Sequence, residues 1–190
     1  VVSGGVTLTR LYSQNSDGWR MLASPVSGIN YSNLNAAFWT QGASWADEAS
    51  GVANLQSFSF GTQDWSELNG GDSGFSAGLG YIFYMYAEDD SGASILPATW
   101  TVSGNPGSLG TQSLQFSTGI SDSYNLKANP STTNIDWNLT WASSTNMESS
   151  YATWDPSVTT EGGTTGYKYY DANSGIGAAG RYIPPFTAFM

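Results

Sequence analysis

The chain has 190 residues, enough for one sandwich-sized domain with a real core or for two very small domains. Fifteen acidic residues outnumber five scattered basic ones, so the net charge is −10, which argues against nucleic acid or an anionic membrane as partner. His and Cys are absent, which excludes an imidazole base, a thiol nucleophile and disulfides, and no apolar run approaches the roughly 20 residues of a membrane-spanning helix.

The chain combines 23 Gly with eight Trp and 11 Tyr, a mixture typical of strands joined by tight turns. Period-two alternation predicts strands that are buried on one face, and residues 81–86, apolar or aromatic on both faces, predict a central strand. One helix of one or two turns is predicted at residues 31–39. In chain order, the predicted strands cover residues 6–10, 55–60, 81–86, 100–102 and 114–116.

Two segments recur along the chain in the same order. Residues 18–25 align with 123–130 at an offset of 105, and residues 73–82 align with 174–183 at an offset of 101. Two matches with nearly equal offsets indicate a duplicated β unit of about a hundred residues.

The duplication gives the predicted organisation. An N-terminal strand or arm covers residues 1–17, a first β repeat covers 18–110 and a second covers 111–190, with one continuous sandwich body as the alternative. The predicted class is all-β: an antiparallel β-sandwich or jelly-roll-like fold built from two pseudo-repeated halves.

The repeated segments also carry a resemblance to a known family, together with other short motifs in the same order. The motifs lie at residues 18–26, 38–42, 80–86, 125–130, 135–137, 153–156 and 183–186. In these motifs the chain resembles a β module found near the C-terminal ends of secreted and cell-surface proteins of Bacteroidetes-type bacteria. That module commonly precedes a type IX secretion sorting domain, which we expect to have been removed or to lie beyond Met190. The resemblance implies an extracellular, cell-surface module, and it carries over no catalytic residue.

Acidic residues are the candidate catalytic groups of this chain, because a glycosidase needs only two carboxylates. The available residues are Asp64, Glu67, Asp89, Asp90, Asp136 and Asp155. Turn and loop capping explains each position, so we expect no enzyme. An unrecognised hydrolase that uses Asp64, Asp89 or Asp136 remains an alternative.

No cofactor is expected, and calcium is the weaker alternative. Asp89, Asp90 and the turn at residues 69–72 offer the oxygen ligands that this cation prefers, but without the spacing of a known calcium loop.

Carbohydrate binding is the main alternative function. Aromatic faces stack on pyranose rings, and Trp65, Trp100 and Trp141 are the predicted platform residues, with an extracellular polysaccharide as ligand. The competing interpretation places these side chains in the core, where most Trp of a small sandwich lie.

The favoured function is a non-catalytic structural or interaction module that self-associates as a surface or filament subunit or an adhesin part. Sandwich edges are its predicted contacts, because an open strand carries unpaired backbone groups. Val6, Leu8 and Arg10 in the N-terminal strand are the predicted interaction residues, by addition to a neighbouring subunit. The competing interpretation is that this strand pairs within its own sandwich.

Overall fold

Antiparallel β-strands are the main regular secondary structure in the described part of the protein. The structure, a computed structural model, describes residues 4–106, 116–120, 123–159 and 165–190. Every pair of strands in this part of the chain is antiparallel, which confirms the predicted all-β antiparallel class. The sandwich or jelly-roll arrangement stays a prediction. The strands are β1 (Val6–Tyr12), β2 (Gly18–Leu22), β3 (Val26–Ser27), β4 (Leu55–Ser59), β5 (Asp64–Glu67), β6 (Tyr81–Met85), β7 (Ala98–Pro106), β8 (Lys127–Ala128), β9 (Ile135–Asp136), β10 (Ser150–Thr159), β11 (Thr165–Asp171), β12 (Tyr182–Ile183) and β13 (Ala188–Phe189).

The two larger sheets lie in the first part of the chain. One has the strand order β2-β6-β4-β5 and the other β1-β7-β3, while β10-β11, β12-β9 and β13-β8 are two-stranded. β6 lies between β2 and β4, so the predicted central strand is confirmed. Its apolar side chains explain this place, because four of its five residues are buried.

The N-terminal strand pairs within its own chain. β1 runs antiparallel to β7, with Val6 opposite Gly104 and Tyr12 opposite Ala98. Hydroxyl pairs join the outer faces of the two strands, with Thr7 Oγ1 2.7 Å from Ser103 Oγ. Within the single chain, β1 is therefore paired as the competing interpretation has it, and its addition to a neighbouring subunit stays a prediction.

The helices differ from the prediction. The predicted helix is a 3₁₀ helix, Tyr31–Ala36, and an α-helix that the sequence analysis missed, α1, spans Trp137–Ala142. Asp136, interpreted from the sequence as a loop cap, caps this helix by accepting a hydrogen bond from the backbone N–H of Asn138 at 3.1 Å. In the described part of the chain, no helix has the length and apolar content needed to cross a bilayer.

The sequence repeat has a local counterpart. Ser24 Oγ accepts the N–H of Val26, and Asn129 Oδ1 accepts the N–H of Ser131. The aligned dipeptides Ser24-Pro25 and Asn129-Pro130, one in each copy, therefore form the same tight turn. Strand pairing differs, because β2 pairs with β6 in the first copy whereas β8 pairs with β13 in the second. The predicted boundary at 110/111 and most of the predicted strand at 114–116 lie outside the described residues.

Among the described residues, buried side chains form three clusters, and the C-terminal segment, residues 186–190, contacts all three. Phe186 lies in the large first cluster, Ala188 in the second and Phe189 in the third. Backbone hydrogen bonds tie the same segment to both halves: the N–H of Ala23 donates to the Phe186 carbonyl, and Ala152 and Met190 exchange two bonds. Residues from both predicted repeats therefore share one packed region.

Candidate functional site

The three Trp residues predicted as a sugar platform do not come together. Trp100 has no exposed surface, and its Nε1 donates to Asn33 Oδ1 at 2.8 Å inside the first cluster. Its place in the predicted platform is therefore wrong, because alternation along β7 points this ring into the core. Trp65 is half-buried with its ring edge against Phe58, and Trp141 is half-buried on α1.

The predicted catalytic carboxylates lie on separate elements with separate structural partners. Asp64 accepts the N–H of Trp65, and Glu67 accepts that of Ala53. Asp136 caps α1 and binds Arg181 with both oxygens. The hydrogen bonds from Arg181, more than those from the helix, hold the pKa of Asp136 below its ordinary value.

The residues proposed for calcium likewise engage protein donors. Asp89 Oδ1 accepts the N–H groups of Ser91 and Ala93 and so closes its own turn, and Asp72 accepts the N–H and hydroxyl of Ser32. Within the residues that the structure describes, no three acidic side chains are grouped as a metal site would require.

A cleft with convergent polar groups lies where β1, β2, β10, β11 and the C-terminal segment meet. It has a volume of about 290 Å³. We call it the junction cleft and define it by six of its lining residues: Arg10, Tyr12, Arg20, Trp154, Asp155 and Lys168. Three of the chain's five cations lie here with one carboxylate, which gives the lining a net charge of +2 against −10 for the whole chain.

β1 supplies one wall through its inward face. Val6 and Leu8 pack against the first cluster, and the next two inward residues, Arg10 and Tyr12, reach the cleft. Arg10 Nη1 donates to Thr187 Oγ1 at 2.8 Å, and its guanidinium lies 5.1 Å from the centre of the Tyr12 ring. The strand that was predicted to bind a partner through Arg10 thus holds this side chain at the edge of a cavity.

β2 supplies a second cation, Arg20, which is only 7% exposed. Its guanidinium donates to the carbonyls of Trp19 and Ser16. Burial lowers the pKa of Arg20, and the nearby Asp155 carboxylate works against that shift. Gly18 makes room for this arrangement, because a Cβ there would lie 3.0 Å from Arg20 Nη1 and 3.1 Å from Pro156 Cβ.

The β10–β11 hairpin supplies the opposite wall. Lys168 of β11 forms an ion pair with Asp155 of β10, and Gln14 Nε2 donates to Asp155 Oδ1 at 3.1 Å. The ring of Trp154 packs over Gly166, where a Cβ would lie 3.0 Å from it, and its edge meets Tyr167. The hairpin therefore fixes a charged pair and an indole side by side.

Two buried donors of the junction cleft lack acceptors. Within the described residues, the buried side-chain atoms without a hydrogen bond are Tyr12 Oη, Trp154 Nε1 and Trp45 Nε1, and the first two belong to the cleft. Burial raises the pKa of Tyr12 against the opposing charges of Arg10 and Arg20, so its hydroxyl stays protonated and able to donate. Unsatisfied buried donors are uncommon in folded proteins and call for a reason.

Sequence reasoning singled out Arg10 and included Asp155 among the carboxylates, but it did not group the six residues that define the cleft. No local motif joins them, because they come from four strands of three predicted units. The available signal was the scarcity of basic residues, which makes the position of each one informative. Comparisons of the chain with protein-family models, with curated proteins and with solved structures found no match. The resemblance to a secreted surface module therefore stays a prediction from short motifs.

Proposed function

We propose that this chain is a non-catalytic extracellular interaction module that binds its partner in the junction cleft. One observation carries the proposal: three of the five cations line a single cleft of a strongly acidic chain, and two residues of that lining hold buried donors without acceptors among the described residues. A charged cavity in a chain of opposite sign raises the local concentration of an oppositely charged partner. The separation of the carboxylates on different elements supports a binding role over hydrolysis.

A steric block of the cleft tests this function. Ala178 lines the cleft and is exposed, so Ala178→Trp fills the entrance without touching the core. Ala142→Trp, at an exposed position on α1 outside the cleft lining, is the matched control. Binding to a printed glycan array and self-association in sedimentation velocity are measured for each variant.

We expect Ala178→Trp to abolish the interaction that the wild-type protein shows and Ala142→Trp to retain it. Equal behaviour of the two variants would place the interaction elsewhere. Release of reducing ends from a polysaccharide panel, lost in Asp64→Asn, Asp89→Asn or Asp136→Asn, would refute the non-catalytic assignment.

Strand-mediated self-assembly is the second candidate. β1 is an edge strand of its sheet, and Leu11 at its end is 62% exposed. An edge strand offers backbone groups to a neighbouring chain, and exchange of β1 between copies would keep its register with β7. Deletion of residues 1–11 followed by electron microscopy tests this: unchanged polymers would rule out β1, and loss of polymers would support it.

A further inference from the structure

The ligand of the junction cleft has to bring acceptor atoms. Within the described residues, the hydrogen bonds of Arg10 all leave from Nη1, to Thr187 and to the Pro185 carbonyl, so its Nη2 and Nε remain as donors. Tyr12 Oη and Trp154 Nε1, in two residues of the same lining, are buried donors without partners among the described residues. A planar carboxylate matches a guanidinium fork, since it can accept two parallel N–H bonds.

The charge of the lining favours a ligand unit with one anionic group over a unit with several. Three cations are offset by Asp155, which leaves +2 at neutral pH. The Asp155 carboxylate would repel a second negative charge on the ligand. A ligand unit with one carboxylate and otherwise neutral polar groups fits this lining.

The remaining walls suit a sugar ring. The Trp154 indole, Pro156 and Met21 give the cleft an apolar side next to its charged side. A pyranose has an apolar C–H face and a hydroxylated rim, which aromatic and polar side chains recognise together. The volume of about 290 Å³ lies near the lower end for small-molecule pockets and so limits the occupant to one or two sugar units.

We propose that the junction cleft binds a uronate residue of an acidic polysaccharide, with the sugar carboxylate on Arg10 and Arg20 and the ring against Trp154. The proposal rests on the proposed function and names its ligand class. The net charge of −10 disfavours binding of such a polymer to the surface at large, and the positive lining of the cleft favours it there.

Matched ligands test whether the protein recognises the carboxylate of the sugar. Oligogalacturonate, oligoglucuronate and oligomannuronate are titrated into the protein by calorimetry at low salt, beside methyl-esterified oligogalacturonate and neutral cello-oligosaccharides. We expect at least one uronate series to bind, at least about tenfold tighter than its esterified or neutral counterpart, because the ester removes the charge that the cleft is built to hold. Absence of binding by all three uronate series would overturn the proposal.

Matched variants at the rim of the junction cleft test whether the uronate binds there. Ala178→Glu and Ala178→Gln have nearly the same size and sit at the exposed rim, so they differ in charge alone. We expect Ala178→Glu to weaken uronate binding about tenfold and Ala178→Gln by no more than about twofold. Equal binding by the two variants would refute a carboxylate in this cleft.

The outcomes distinguish failure of the uronate proposal from failure of the proposed interaction function. If no uronate binds but the wild-type protein self-associates and Ala178→Trp prevents this, the occupant is an acidic side chain of a second copy. The uronate assignment then fails while the interaction module stands. If Ala178→Trp changes neither glycan binding nor self-association, both fail.

Discussion

Buried polar side chains in this protein fall into two groups that differ in how their hydrogen bonds are satisfied. Asn54, almost fully buried, donates to the carbonyls of Trp39 and Tyr84 and accepts the N–H of Gln41. Tyr12 is also buried, yet its hydroxyl has no partner among the described residues. A satisfied buried amide stabilises a fold, whereas an unsatisfied hydroxyl costs stability. Side chains that lower stability are candidates for a functional role. Tyr12 is such a side chain, and it belongs to the lining of the junction cleft.

Removing the Tyr12 hydroxyl should stabilise the free protein. Tyr12→Phe takes away a buried donor without an acceptor, and we expect the free energy of unfolding in urea to rise by about 1 kcal/mol. Tyr151→Phe is the matched control at the same cleft, because that hydroxyl donates to the Gly180 carbonyl at 2.8 Å. The control should lose about 1 kcal/mol. A loss of stability in both variants would mean that the Tyr12 hydroxyl has a partner in solution.

Buried tyrosines should also make the fold sensitive to alkali. Burial raises the pKa of Tyr151 to about 12, whereas an unfolded tyrosine titrates near 10. The folded state therefore holds this proton more tightly: its contribution to stability is complete below pH about 10 and is lost as the pH rises to about 12. Urea midpoints at pH 9 and pH 11 measure the loss, and Tyr151→Phe should reduce the difference between them. An unchanged difference in that variant would assign the sensitivity to other groups.

At the scale of single elements, α1 depends on one carboxylate with two roles. The helix has six residues and contains Trp, Asn and Thr, which are poor helix formers, so it needs help from outside its own sequence. Asp136 caps its first turn, and Arg181, next to β12, binds both oxygens of that cap. Trp137 then enters the third cluster, with Nε1 donating to the Ser149 carbonyl at 2.8 Å. Capping by Asp136 and burial of Trp137 therefore stabilise this helix more than the intrinsic helix propensity of its residues does.

Two substitutions separate the roles of Asp136. Asp136→Ala removes the cap and the ion pair, and we expect the free energy of unfolding to fall by about 1 kcal/mol. Asp136→Asn keeps a capping oxygen and should lose clearly less. Because the pKa of this carboxyl is lowered in the folded state, its contribution is present above pH about 4 and is lost as the pH falls. Urea unfolding at pH 7 and pH 3 measures both effects, and equal losses in the two variants would show that capping contributes nothing.

At the scale of the whole molecule, the last five residues hold the clusters together. Phe186 packs its ring on Trp100 at a centroid distance of 5.3 Å, while Phe189 contacts Trp137 and Tyr151 in the third cluster. Phe186 keeps a φ of 65°, which is unusual for a residue other than glycine. Such a backbone persists only where packing holds it, and this ring is almost fully buried. The end of the chain is therefore part of the core of the first half.

This shared segment predicts one cooperative unfolding transition. Phe186→Ala should lower the free energy of unfolding by about 3–5 kcal/mol, and hydrogen exchange should accelerate in β6 and β10 alike. Ile176→Ala, at a side chain that is 73% exposed, is the control and should change stability by no more than about 0.5 kcal/mol. Faster exchange in β6 alone would instead support two halves that unfold separately, at the predicted boundary near residue 110.

Local patterning accounts for what could be predicted. Alternation placed β1, β4 and β7, and a stretch that is apolar on both faces placed β6 at the centre of its sheet, because side-chain period and burial are set by neighbours along one strand. The 3₁₀ helix at residues 31–36 followed from local spacing as well. The α-helix at Trp137–Ala142 did not, because Arg181, which supports its cap, lies 45 residues away along the chain.

The sequence by itself determined the class of the fold, which is antiparallel β with aromatic cores. It also determined which side chains are available for function: few cations, no thiol and no imidazole. Tertiary structure alone decided where those few cations meet. Arg10 and Arg20 reach the β10–β11 hairpin across more than a hundred residues, and no periodicity along the chain reports such a distance. A cleft is a property of surfaces that pack incompletely, and packing between remote segments is fixed only when the whole chain has folded.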